Sequence, residues 1–98
     1  MENATKAEIL AAKDLKAERQ AAWKAITPGA GAYLGESDRE EVDFQQSFYG
    51  IFYPRLLEIK REVDPGQVFW AKNGVGSEEW DVETADVWND ENGRLCRV

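Results

Sequence analysis

Between Tyr53 and Phe69 the chain carries a helix pattern that one proline starts and another stops. Pro54 suits the first turn of a helix, where its missing N–H is not needed. Leu56, Ile59 and Val63 then place apolar side chains at helical spacing. Asp64-Pro65-Gly66 makes a turn, because the residue before a proline is pushed out of helical geometry and glycine relaxes the exit. Val68-Phe69-Trp70 is expected to return as an apolar extended strand.

The same pattern extends upstream to Asp43. Phe48, Phe52, Leu56, Ile59 and Val63 keep one apolar face at steps of four, four, three and four. Asp43 and Gln46 have the spacing of a capping box. Gly50 and Pro54 interrupt the run, since a proline inside a helix costs about 3 kcal/mol. The spacing therefore predicts two helices, near 44–49 and 54–63. Phe48, Phe52 and Phe69 are expected in the core.

From about Asn3 to Ile26 the sequence is dense in Ala, Leu, Lys, Glu and Gln, the strongest helix formers, with Asn3 as the expected N-cap. Ala4, Ala7, Ala11, Leu15, Ala22 and Ile26 draw one apolar stripe, with Trp23 beside its end. Small side chains bury little area, at roughly 25 cal/mol per Å2, so this helix needs a larger body to lean on. Asn3-Ala4-Thr5 also fits the glycosylation sequon, a motif short enough to arise by chance. Thr27-Pro28-Gly29 ends the helix.

Residues 28–43 read as an acidic loop with a short extended core at Ala32-Tyr33-Leu34. Gly29-Ala30-Gly31-Ala32-Tyr33-Leu34 has part of the outline of a phosphate-cradling glycine loop, but the third glycine is missing and a helix precedes it instead of a strand. Glu79–Glu83 and Arg94–Val98 alternate like strands, with Asn92-Gly93 as a possible turn and the acids of one strand facing Arg94 and Arg97 of the other. The Asp86…Gly93 cluster misses the calcium-loop spacing, because Trp88 stands where the first Asp belongs. The fold class expected is α+β, mainly helical: a long N-terminal helix, a broken second helix, short strands and a C-terminal hairpin.

Composition narrows the function classes. Ninety-eight residues allow one small core, and 11% aromatic residues argue against disorder. A net charge of −7 disfavours a nucleic-acid backbone or an anionic membrane as partner. No apolar run approaches the roughly 20 residues of a membrane span, and the first residues lack the apolar core of a signal peptide. Cys96 stands alone and the sequence has no His, so Ser-His and Cys-His pairs and most zinc sites are excluded within this chain. No metal site is expected.

One series of segments carries a family resemblance. Pro28-Gly29-Ala30-Gly31-Ala32-Tyr33-Leu34-Gly35 leads into the acidic loop, followed by Asp43-Phe44-Gln45-Gln46-Ser47-Phe48-Tyr49-Gly50, Tyr53-Pro54-Arg55-Leu56-Leu57-Glu58-Ile59-Lys60 and Asp64-Pro65-Gly66-Gln67-Val68-Phe69. This order resembles the closing segment of the berberine-bridge-like FAD-linked oxidases, in the vanillyl-alcohol-oxidase superfamily. The resemblance covers nearly the whole chain, including Gly76–Trp80 and Gly93–Val98. It departs at Gly35, where the family's Tyr-x-Asn motif has an Asn.

The resemblance implies a fragment of a larger two-domain flavoenzyme fold: residues 1–27 an N-terminal helix, 28–70 the family segment, 71–98 an acidic tail with the hairpin. It implies a complete enzyme in which an organic substrate gives a hydride to FAD, which oxygen reoxidises. Tyr33 matches the family's active-site Tyr, a catalytic residue close to flavin and substrate, and Gly35 takes the neighbouring cofactor-contacting position. Tyr33 and Gly35 would point the same way along an extended strand. A half-buried structural Tyr whose hydroxyl caps a loop carbonyl is the other reading of Tyr33. Arg55 and Lys60 are expected to anchor their helix to the missing domain. The implied partners are that FAD-binding and substrate domain and a small-molecule substrate, with no FAD binding by this chain alone. Two other readings stay open: a non-catalytic helical protein-interaction module, and one half of a split oxidase.

Overall fold

A computed structural model describes residues 4–83 and 93–98. They divide into two units, Met1–Ala30 with Val82–Cys96 and Gly31–Asp81 with Arg97–Val98. The turn at Asn92-Gly93 and the Asp86…Gly93 cluster fall largely outside the described residues.

In the first unit, α1 spans Lys6–Ile26. Its N-cap is Thr5 rather than Asn3, because Thr5 and Glu8 close a capping box. The Glu8 amide donates to Thr5 Oγ1 at 3.2 Å and the Thr5 amide to Glu8 Oε2 at 2.7 Å. The Thr5 backbone bond, and then its hydroxyl, hold the Glu8 carboxyl below its ordinary value. At the far end Thr27 donates its hydroxyl to the Trp23 carbonyl, ahead of Pro28.

The buried side of α1 is not the expected stripe. Ile9 is buried, with Lys13, Lys16 and Gln20 half-buried on the same face, while Ala7, Ala11, Leu15, Ala22 and Ile26 are exposed. Lysine stems can cover apolar surface and keep the ammonium wet, so a covered face need not look apolar in sequence.

In the second unit, the expected helix near 44–49 is a π-helix over Gln45–Tyr49. It breaks at Gly50, whose φ of +58° favours glycine, and a 3-10 turn over Gly50–Phe52 leads into α2, Tyr53–Val63. Pro54 sits in the first turn, as its missing N–H demands. The Asp43–Gln46 capping box does not form; Asp43 contributes its backbone carbonyl, which accepts the Ser47 amide. The lone apolar side chain buried in this unit is Phe44, edge-on to Tyr53 at 6.2 Å between centroids. Phe48 is half-buried, and Phe52 and Phe69 are exposed, against the expectation of a core position for all three.

No strand forms at Val68-Phe69-Trp70. The Asp64 carboxylate accepts the Val68 and Phe69 amides at 2.9 and 3.0 Å, consuming the donors that a strand would offer a neighbour. Lys60 reaches both the Asp64 carboxylate, at 2.6 Å, and the Phe69 carbonyl, at 2.8 Å. Its ammonium ties the end of α2 to the loop that follows it. Arg55 pairs with Glu58 on the exposed surface.

Two strands, β1 (Trp80–Glu83) and β2 (Arg94–Arg97), pair as the expected hairpin. The acid–base facing is partly as anticipated: Arg94 lies 3.1 Å from Glu83, whereas Arg97 covers the Trp80 ring at 5.4 Å.

Candidate functional site

Ala32-Tyr33-Leu34 is not a strand. Tyr33 is extended, with φ −82° and ψ 123°, and caps a 3-10 turn over Leu34–Glu36. The Tyr33 carbonyl accepts the Glu36 amide at 3.1 Å, and Ser37 closes the turn by donating its hydroxyl to the Leu34 carbonyl. This turn brings Gly35 back under the Tyr33 side chain. A Cβ at position 35 would lie 2.9 Å from Tyr33 Cε1 and 3.4 Å from its hydroxyl oxygen. The two residues thus share a side, as expected, but through a tight turn and not a strand pleat.

Tyr33 is 73% exposed. Half-burial, the premise of its reading as a loop-capping structural residue, is not what the chain shows. Its phenol stands at the surface on a loop whose base is fixed.

The fixing residue is Ser47, which sequence reasoning passed over. All three of its polar groups are engaged. Its amide donates to the Asp43 carbonyl at 3.0 Å, its hydroxyl to Glu41 Oε1 at 3.1 Å, and its carbonyl accepts the Ala32 amide at 2.7 Å. The last contact requires Gly31, because a Cβ there would come within 2.9 Å of the same carbonyl oxygen. A doubled glycine around a tyrosine was the available signal. Its partner on the π-helix had none.

A second cluster of polar contacts holds the segment behind this loop. Tyr49 donates to the Asn73 carbonyl at 2.8 Å, and Asn73 Nδ2 donates to the Arg39 carbonyl at 2.8 Å. Tyr53 lies between Glu78 and the Gly76 amide. A cavity of about 170 Å3 opens nearby, lined by Phe44, Trp70, Asn73, Ser77 and Trp80 among others. The Trp80 indole N–H is buried without a hydrogen-bond partner among the described residues. Tyr33 and Gly35 do not line this cavity. Cys96 is half-buried beside Glu83. Among the described residues no group of three or more His, Cys, Asp or Glu side chains is arranged to hold a metal ion, and no helix is long and apolar enough to cross a membrane.

Comparison with known proteins adds a family. Residues 32–76 match the family described as berberine and berberine like. The chain is 45% identical, over 93% of its length, to the VAO-type flavoprotein oxidase VAO615 of Thermothelomyces thermophilus, and 40% identical, over 98%, to the FAD-linked oxidoreductase patO of Penicillium expansum. It spans about 15% of each relative. Among solved structures, the crystal structure of the VAO-type flavoprotein MtVAO615 from Myceliophthora thermophila C1 is similar, with a TM-score of 0.59 and 44% identity, over 69% of this chain and 11% of that one.

Proposed function

Because the chain belongs to the berberine and berberine-like family, we propose that it is the C-terminal segment of an FAD-dependent oxidoreductase that passes a hydride from an organic substrate to flavin and then to oxygen. Bound FAD supplies the hydride-accepting chemistry. Tyr33 works at the edge of the reacting pair, where its phenol donates a hydrogen bond to substrate or takes part in moving its proton. Gly35 leaves room for the ring.

The observation that carries this reading is the exposed Tyr33 phenol, inside the family-matched residues, on a loop anchored at Ser47. These residues fit one contact with a flavin that other residues hold. The 170 Å3 cavity lined by Phe44, Trp70 and Trp80 is below the roughly 300–1,000 Å3 of ligand pockets and does not include Tyr33, so it does not take the whole cofactor. The domain that holds FAD is therefore the partner this segment needs, in the same polypeptide or in a separate chain.

Tyr33→Phe in a complete flavoprotein carrying this segment tests the assignment. Loss of one hydroxyl should lower turnover about 10²-fold, within the range of a positioned proton-transfer group, with flavin content unchanged. Turnover at the parent rate would remove Tyr33 from the chemistry. A second reading, a non-catalytic interaction module, draws support from the exposed stripe of α1 and from Phe52, Val63 and Phe69; these faces serve docking with or without catalysis.

A further inference from the structure

We infer that Gly31, Gly35 and Ser47 form a positioning device that sets the direction of the Tyr33 phenol, an inference that rests on the catalytic reading of Tyr33 only for its consequence in turnover. The two glycines stand two residues before and two residues after Tyr33, and each is held to glycine by a different contact. At Gly31 the obstacle is backbone: a Cβ would meet the Ser47 carbonyl oxygen at 2.9 Å. At Gly35 the obstacle is the Tyr33 ring itself, at 2.9 Å from Cε1 and 3.3 Å from Cζ. Contacts under 3.0 Å are ones a real Cβ avoids, so either substitution forces a movement.

The two movements differ. Chain at 31–32 cannot yield without stretching the 2.7 Å bond from the Ala32 amide to Ser47. That bond is the tether between the Tyr33 loop and the π-helix. Ser47 in turn is held by its amide on Asp43 and its hydroxyl on Glu41, so the tether ends on a fixed post. At Gly35, by contrast, the neighbour is an exposed ring that can rotate about χ1. Gly31 and Ser47 place the backbone of Tyr33, whereas Gly35 places its ring. A π-helix is a rare local geometry that often marks functional sites; here it presents the Ser47 carbonyl to the loop.

The device explains how the backbone of an exposed tyrosine is fixed without burial of its ring. It also assigns a role to the departure at position 35: Gly admits a ring pose that a side chain there would displace. Asn at this position would swing the ring rather than merely add an amide.

The test reads conformation in the full chain by NMR and turnover in a complete flavoprotein separately. Gly31→Ala should raise the exchange rate of the Ala32 amide about tenfold or more, as a local opening does, with the amides of α2 unchanged. Ser47→Ala, which removes only a hydroxyl and keeps the carbonyl, should raise it several-fold and serves if Gly31→Ala fails to fold. Gly35→Ala should leave Ala32 protected but abolish the contact between the Tyr33 ring and the α proton of residue 35. An Ala32 amide equally protected in Gly31→Ala, or an unmoved ring in Gly35→Ala, would overturn the inference. In the flavoprotein, Gly31→Ala should lower kcat in the parent but add nothing on a Tyr33→Phe background. Equal losses on both backgrounds would show a general structural role and sink the device. Parent-like turnover of Tyr33→Phe would instead sink the catalytic reading and leave the conformational result standing.

Discussion

The Tyr53 phenol lies 2.7 Å from both carboxylate oxygens of Glu78 and accepts the Gly76 amide at 3.0 Å. One side chain thus joins α2 to the turn that precedes β1, twenty-odd residues away. Around it the unit is knitted by polar contacts more than by apolar burial, since Phe44 is its buried hydrophobic side chain.

That junction has a pH signature. Burial first, and then the Glu78 hydrogen bond, push the Tyr53 phenol from 10.0 up to about 12. A folded value above the unfolded one means that the protonated phenol is the form the fold holds. Its contribution is complete below pH 10 and is lost as pH rises through the window from 10 to 12. Tyr53→Phe should cost about 1 kcal/mol at neutral pH. Urea unfolding of both proteins from pH 8 to 12 should show the difference between them shrinking across that window. A constant difference would place the stabilisation elsewhere.

Asn73 is buried, has φ +63°, and holds the Arg39 carbonyl. Asn73→Ala loses the hydrogen bond and puts a Cβ residue without compensation in the left-handed region, so about 2 kcal/mol should be lost. Asn73→Gly keeps the backbone permissible and should lose about half as much. The order of the two unfolding midpoints checks this: Ala must fall below Gly.

Ile59 and Val63 lie four residues apart on α2, Phe52 ends the 3-10 turn just before it, and all three are exposed, as are Val68 and Phe69. Apolar side chains gathered in this way mark an interface. The chain should therefore self-associate as its concentration rises, and Phe52→Ser with Val63→Ser should reverse this while changing stability by no more than about 0.5 kcal/mol per site. Sedimentation velocity decides it. A parent chain that stays monomeric at all concentrations would remove the case for a docking face here.

FAD titrated into the chain, followed by flavin fluorescence, should show no saturable binding at micromolar concentration. The reason is geometric: Tyr33 offers a single exposed phenol, and the 170 Å3 cavity, which Tyr33 does not line, is too small for a dinucleotide. Saturable quenching would mean that this segment carries cofactor contacts of its own.

Local order was legible in the sequence where local forces make it. Alanine-rich composition and Thr27-Pro28 gave α1 its extent, Pro54 and Asp64-Pro65 bracketed α2, and alternation marked both strands of the hairpin. The family, too, was carried by the order of short motifs. Each of these depends on neighbours within a few residues along the chain.

Tertiary structure decided the rest. Periodicity reveals that a helix has an apolar side, not whether anything covers it, and so Ile9 with its lysine neighbours is covered while the Ala7–Ile26 stripe faces solvent. Val68-Phe69 has the composition of a strand, but a carboxylate four residues back takes its amides first. The Ser47 tether and the Gly35 platform beneath Tyr33 have no period at all. They arise because a π-helix carbonyl stands where a Cβ at position 31 would be, and a turn folds the Tyr33 ring to where a Cβ at position 35 would be, approaches that only the folded molecule displays.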